Sequence, residues 1–95
     1  MSPDDVDFEW DERKRQTNLR KHGVDFADVL EVFYDPLARI LRDPDHHREQ
    51  RYVVMGEDAR RRVLVVVFSQ SDPNAIRIIS ARPATPAERR HYVRP

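Results

Sequence analysis

Lys14, Asn18, Lys21 and His22 fall at i, i+4, i+7 and i+8, so a helix through them carries all four on one side. Lysine supplies a point charge for a phosphate, and histidine takes or gives a proton near neutral pH. A second set lies late in the chain: Arg77 and Arg82 in an extended segment, then Glu88, Arg89, Arg90, His91 and Tyr92. Arginines flanked by aromatics grip phosphates and stack on bases. Both sets also have a plain structural reading. Cations at a helix C-terminus complement its dipole. Arg77 and Arg82 can pair with acids of neighbouring elements, the acidic N-terminal block included.

Other chemistries find little support. The chain has no cysteine, so disulfides and thiolate metal sites are ruled out. His46 and His47 are adjacent in a polar stretch that reads as a loop, and neighbouring residues do not converge on one metal. There is no P-loop, no dinucleotide fingerprint and no Gly-x-Ser-x-Gly elbow. With two glycines, the chain has no material for a glycine-rich phosphate cradle. No cofactor is expected.

The elements that must position these residues are legible in outline. Phe8-Glu9-Trp10 is a short extended candidate. Asp11 caps a helix from about Glu12 to His22, with acid at its start, bases at its end and Gly23 just beyond. Leu19 is its one aliphatic residue, so this helix is exposed or serves a polar site. Asp25 caps a second helix, in which Phe26, Val29, Leu30 and Phe33 form an i, i+3, i+4, i+7 apolar stripe. Pro36 ends it. Extended segments at Ala38–Arg42, Arg51–Gly56, Arg62–Ser69 and Ala75–Arg82, joined by short polar turns, predict an antiparallel meander. Val63–Phe68 is apolar on both alternating faces, which predicts a central strand covered on both sides. The helices supply one cover; the tail or a partner supplies the other. Thr85 caps a last helical turn from Pro86 to about Tyr92, with Glu88 at its third position.

The 95 residues suit one domain, with no internal repeat or low-complexity linker. Charged residues make up 36 % of the chain, above the usual ~25 %, yet 17 bases balance 17 acids. The zero is a sum of unequal blocks. Asp4, Asp5, Asp7, Glu9, Asp11 and Glu12 precede any base; Arg13, Lys14, Arg15, Arg20 and Lys21 then follow without an acid. Such clustering creates local positive potential whatever the total. The longest apolar run, Val63–Phe68, is far too short to span a bilayer. The acidic N-terminus does not read as a signal peptide, so a cytoplasmic protein without membrane contact is expected.

Taken together, Phe8-Glu9-Trp10-Asp11, Lys14, Asn18-Leu19-Arg20-Lys21-His22-Gly23-Val24, Phe26, Phe33, Asp35-Pro36, Arg77-Ile78-Ile79-Ser80-Ala81-Arg82, Ala84, Glu88-Arg89 and Tyr92 form a recognisable pattern. It resembles the BrnT family, the toxin half of a type II toxin–antitoxin pair, from about Asp7 to Tyr92. Asp45–Arg51 and Ser71–Asn74 look variable. The resemblance implies an α+β, RelE-like fold: N-terminal helices on a twisted antiparallel sheet, with a short C-terminal helix. It implies a metal-independent ribonuclease that cuts RNA and inhibits translation. It also implies a BrnA-like antitoxin partner with a ribbon-helix-helix DNA-binding part, through which alone operator DNA is met. Within it, His22, Lys21, Arg77, Arg82 and Tyr92 are the catalytic candidates, and Lys14, Asn18, Arg20 and Arg89 the RNA-binding ones. Metal-free RNA cleavage needs a base for the 2′-OH, cations for the crowded phosphorane-like transition state, and an acid for the leaving 5′-oxygen. A non-catalytic module that binds nucleic acid or protein is the alternative.

Overall fold

The computed structural model describes residues 6–42 and 51–93. The adjacent histidines His46 and His47 lie outside the described residues. Strand β1 (Asp7–Trp10) leads into helix α1 (Glu12–His22). The Asp11 carboxylate caps α1 by accepting from the Arg13 and Lys14 amides at 2.8 and 3.2 Å. Gly23 ends it at φ 70°, in the left-handed region, and its amide donates to the Leu19 carbonyl at 2.9 Å.

The next segment departs from the expected continuous helix. It folds as two short 3-10 helices, Phe26–Asp28 and Leu30–Tyr34, joined at Val29. The buried residues are Phe26, Val29 and Val32, spaced by three, whereas an α-helix would have buried Leu30 and Phe33 with Phe26 and Val29. Close packing on the sheet accounts for the tighter winding. Val32 lies against Gly56, where an added Cβ would come within 2.9 Å of Val32 Cγ1. Phe33 is turned aside, between the rings of Phe8 and Phe68 at 5.2 and 5.0 Å.

Strands β2 (Arg39–Arg42), β3 (Arg51–Glu57), β4 (Val63–Asp72) and β5 (Ala75–Pro83) follow, then helix α2 (Pro86–Val93). The sheet order is β1-β5-β4-β3-β2. β2 to β5 form the expected antiparallel meander, but β1 adds to β5 in parallel, with Phe8 opposite Ile76 and Trp10 opposite Ile78. The sheet is therefore mixed. β4 is central and covered on both faces. Leu64, Val66 and Phe68 join Val24, Phe26, Val29, Val32, Val54, Ile78 and Ala81 in the main core under α1 and the 3-10 helices. Val65 and Met55 face the other way, onto Ala84 and Tyr92 of the tail.

Two features of β5 shape its edge. Phe68 pairs with Ile78 and Val67 with Ser80, so Ile79 is an extra, bulged residue. The β1 ladder stops at Trp10–Ile78, which leaves the outer backbone groups of Ala81 without a strand partner. Asn18 of α1 takes them. Its side-chain oxygen accepts from the Ala81 amide at 3.0 Å, and its nitrogen donates to the Ala81 carbonyl at 2.8 Å. The same nitrogen donates to the Val24 carbonyl at 2.9 Å. One carboxamide thus extends the sheet edge by a residue and docks α1 on it.

Candidate active site

The bulge of β5 and the exposed flank of α1 face each other across an open cleft of about 360 Å³. From α1 come Arg13, Lys14, Thr17, Asn18, Lys21 and His22; from β5 come Ile79 and Ser80. The helix residues form two adjacent ridges, 13-17-21 and 14-18-22, each with a step of four. Asn18 sits in the second ridge and is buried, its polar atoms bonded to backbone. The cations on either side of it are thereby held at the cleft mouth. Among the described residues no carboxylate lines the cleft, and three positive charges do. Such a wall favours an anion, and the partly apolar floor given by Ile79 strengthens the field.

The α1 candidates Lys14, Asn18, Lys21 and His22 therefore come together. Arg20 lies outside the lining, exposed, with a guanidinium nitrogen 3.4 Å from Thr17 Oγ1. Arg77 lies on the outer sheet face two residues before the bulge, 3.6 Å from Glu9 across the β1–β5 pair. Both side chains are about half exposed, so that ion pair leaves Arg77 able to turn elsewhere at little cost. Arg89 is exposed on α2.

Arg82 and Tyr92 are engaged within the fold. The Arg82 guanidinium donates to both oxygens of Glu88 at 2.8 and 2.9 Å. Glu88 also accepts from the Thr85 amide at 2.8 Å, while Thr85 Oγ1 accepts from the Glu88 amide at 3.1 Å, a reciprocal capping box. The Arg82 fork holds the Glu88 carboxyl down at about 2, and the Thr85 amide adds to the effect. Tyr92 is buried, and its hydroxyl donates to Asp35. Burial pushes the Tyr92 hydroxyl pKa up, and the Asp35 carboxylate adds to this. Burial alone would raise the Asp35 carboxyl. The Tyr92 hydroxyl and the amides of Glu57 and Leu37 outweigh it and hold that carboxyl below its ordinary range.

Arg13, Thr17, Ile79 and Ser80 complete the lining. The i, i+4, i+8 spacing of Arg13, Thr17 and Lys21 was available in the sequence as a second ridge. Nothing local announces a bulge at Ile79, because its position follows from strand register.

A five-stranded sheet with α1 and two 3-10 helices on one face and a short tail helix on the other is the RelE-like α+β fold. Residues 10–88 match the model of a family described as the ribonuclease toxin, BrnT, of type II toxin–antitoxin systems. The fold is similar to the 1.1 Å crystal structure of the Brucella abortus ribonuclease toxin, BrnT, with a TM-score of 0.68 and 34 % sequence identity. That similarity covers 84 % of this chain and 97 % of the Brucella one. No functionally curated protein matches the chain. The chain belongs to the BrnT family and is thus the toxin component of a type II toxin–antitoxin pair.

Proposed function

We propose that this toxin is a metal-independent endoribonuclease whose reaction centre is the α1–β5 cleft. The observation that carries this reading is the convergence of Arg13, Lys14, Lys21 and His22 on one open cleft that no carboxylate lines among the described residues. An RNA phosphate seated there meets three cations, which offset the charge that builds up as the ribose 2′-oxygen attacks phosphorus. His22 transfers one proton, either from the 2′-OH or to the departing 5′-oxygen, and water carries the other. The P–O5′ bond breaks and a 2′,3′-cyclic phosphate remains. Arg77, beside the bulge and weakly held by Glu9, reaches toward the flanking phosphate. Arg82 and Tyr92 contribute by holding α2 on the sheet. Loss of RNA inhibits translation in the cytoplasm until a BrnA-like antitoxin with a ribbon-helix-helix part neutralises the toxin.

The test is cleavage of a labelled RNA by purified protein in EDTA. Wild type cleaves; His22→Ala falls by about 10²–10⁴-fold, the usual span for a proton-transfer residue. Lys21→Ala falls with it. Arg82→Ala loses activity only in step with the stability of α2. Binding without cleavage would establish the non-catalytic module instead. An unchanged rate in folded His22→Ala and Lys21→Ala would remove the cleft from the mechanism.

A further inference from the structure

Asn18 and Asp58 are the buried polar residues among those described. Asn18 docks α1, whereas Asp58 takes no part in the cleft. It lies on the turn between β3 and β4, and its side chain is fully buried. One carboxylate oxygen accepts from the amides of Arg60 and Arg62 at 3.0 and 2.8 Å. The other accepts from Arg62 Nε at 2.9 Å and lies 2.8 Å from Arg62 Nη2. The main chain closes the turn as well: the Asp58 amide donates to the Arg62 carbonyl at 2.9 Å, and the Arg61 amide to the Asp58 carbonyl at 3.0 Å. Arg61 takes φ 64°, a left-handed conformation that a side chain disfavours. These bonds leave the Arg62 guanidinium one direction. Its remaining nitrogen, Nη1, donates to the Gly23 carbonyl at 3.2 Å, across 39 residues of chain.

Gly23 directly follows His22 at the end of α1. The helix has little apolar grip: Leu19 is 42 % exposed, and the residue of α1 that is buried is Asn18. Two consecutive carbonyls of the chain leaving the helix are held by polar side chains, Gly23 by Arg62 and Val24 by Asn18. The guanidinium also sets positive charge at the helix C-terminus, where the dipole favours it. Proton transfer requires His22 within hydrogen-bond reach of the reacting oxygen, and a small misplacement is costly. Lys14 and Lys21 deliver charge through flexible four-carbon stems and tolerate such an error. We propose that Arg62, aimed by Asp58, is a positioning residue that sets His22 in the cleft through the Gly23 carbonyl. Arg62 itself lies outside the cleft lining, and the proposal rests on the cleft being the reaction centre.

The experiment measures RNA cleavage by Arg62→Lys, by His22→Ala and by the double variant. Lysine keeps a positive partner for the buried Asp58, so the turn is expected to fold, but one ammonium cannot grip Asp58 and reach Gly23 together. In Arg62→Lys, kcat should fall about 10- to 100-fold. KM for RNA should stay within about twofold, since the lysines still hold the phosphate. Asp58→Asn is the second variant: it keeps an acceptor for the turn amides, releases the Arg62 fork and should lower kcat in the same way. In the His22→Ala background neither change should lower kcat further, because Arg62 acts through the imidazole. Wild-type kcat in either folded single variant, a rise in KM at unchanged kcat, or a full additional loss in the double variants overturns the proposal. An impaired His22→Ala in the same series leaves the cleft reading standing. A folded His22→Ala that cleaves at the wild-type rate overturns both.

Discussion

Asn18 shows how a polar residue on a polar helix can belong to the fold while its neighbours belong to the site. Its carboxamide offers one acceptor and two donors, and the Ala81 and Val24 backbone groups use all three. Asn18→Ala leaves an amide and two carbonyls without partners and is expected to cost about 2–4 kcal/mol, read from chemical denaturation. Asn18→Asp keeps the shape but turns two donors into an acceptor facing carbonyl oxygens, so it should be at least as destabilising. If Asn18 contacted RNA alone, both variants would keep wild-type stability. Gly23 carries a smaller penalty. Nothing lies within 4 Å of an added Cβ, so Gly23→Ala should cost only the strain of its positive φ, about 1 kcal/mol. The sequence pattern that groups Lys14, Asn18, Lys21 and His22 on one helix side was legible. The separate part played by Asn18 was not, because it depends on where β1 stops pairing with β5, a contact 63 residues away in the chain.

At the scale of elements, α2 is held by three polar contacts around a small apolar one: the Thr85–Glu88 box, the Arg82–Glu88 fork and the Tyr92–Asp35 bond. All three use one of two carboxyls, Glu88 and Asp35, that are held below their ordinary values, which makes the tail acid-sensitive. Glu88 ionises at about 2 in the fold, against 4.5 as its unperturbed value. Its stabilising effect is therefore full above about pH 4.5 and is lost as pH falls toward 2. Asp35 is depressed too, so its share is lost on the same side. The protection factors of the α2 amides, each taken against the intrinsic exchange rate at the same pH, should fall through this window. Glu88→Gln should exchange faster than wild type at pH 6 and show a smaller further change on acidification, the remainder reporting Asp35. An α2 whose protection factors stay flat from pH 6 to 2 would mean that these pairs do not hold it. The caps of α1 and α2 were readable from Asp11, Gly23, Thr85 and Glu88, since capping is local chemistry. The 3-10 winding of Phe26–Tyr34 and the parallel setting of β1 were not, for both are decided by packing against strands distant in sequence.

For the whole molecule, 17 bases against 17 acids give no net attraction for a polyanion, yet the cleft is cationic because of how the blocks fold. The acids next to α1 are spent elsewhere: Asp11 caps the helix, Glu12 and Asp25 hold Arg15, and Asp28 lies 3.8 Å from Arg60. That neutralises the flank of α1 away from the cleft and leaves Arg13, Lys14 and Lys21 to set the potential inside it. The consequence is measurable without knowing the RNA sequence preferred. If those three cations displace counterions from single-stranded RNA, log K against log salt should have a slope of roughly −2, at about −0.7 per phosphate neutralised. Lys14→Ala and Lys21→Ala should each flatten it by about 0.7. Charge reversal at exposed Arg60, on the β3–β4 turn, changes the net charge by two but should leave the slope within error. A slope that follows the net charge and ignores the cleft lysines would mean that RNA is held diffusely over the surface. A slope set by Lys14 and Lys21 in a protein of zero net charge would place the contact on α1.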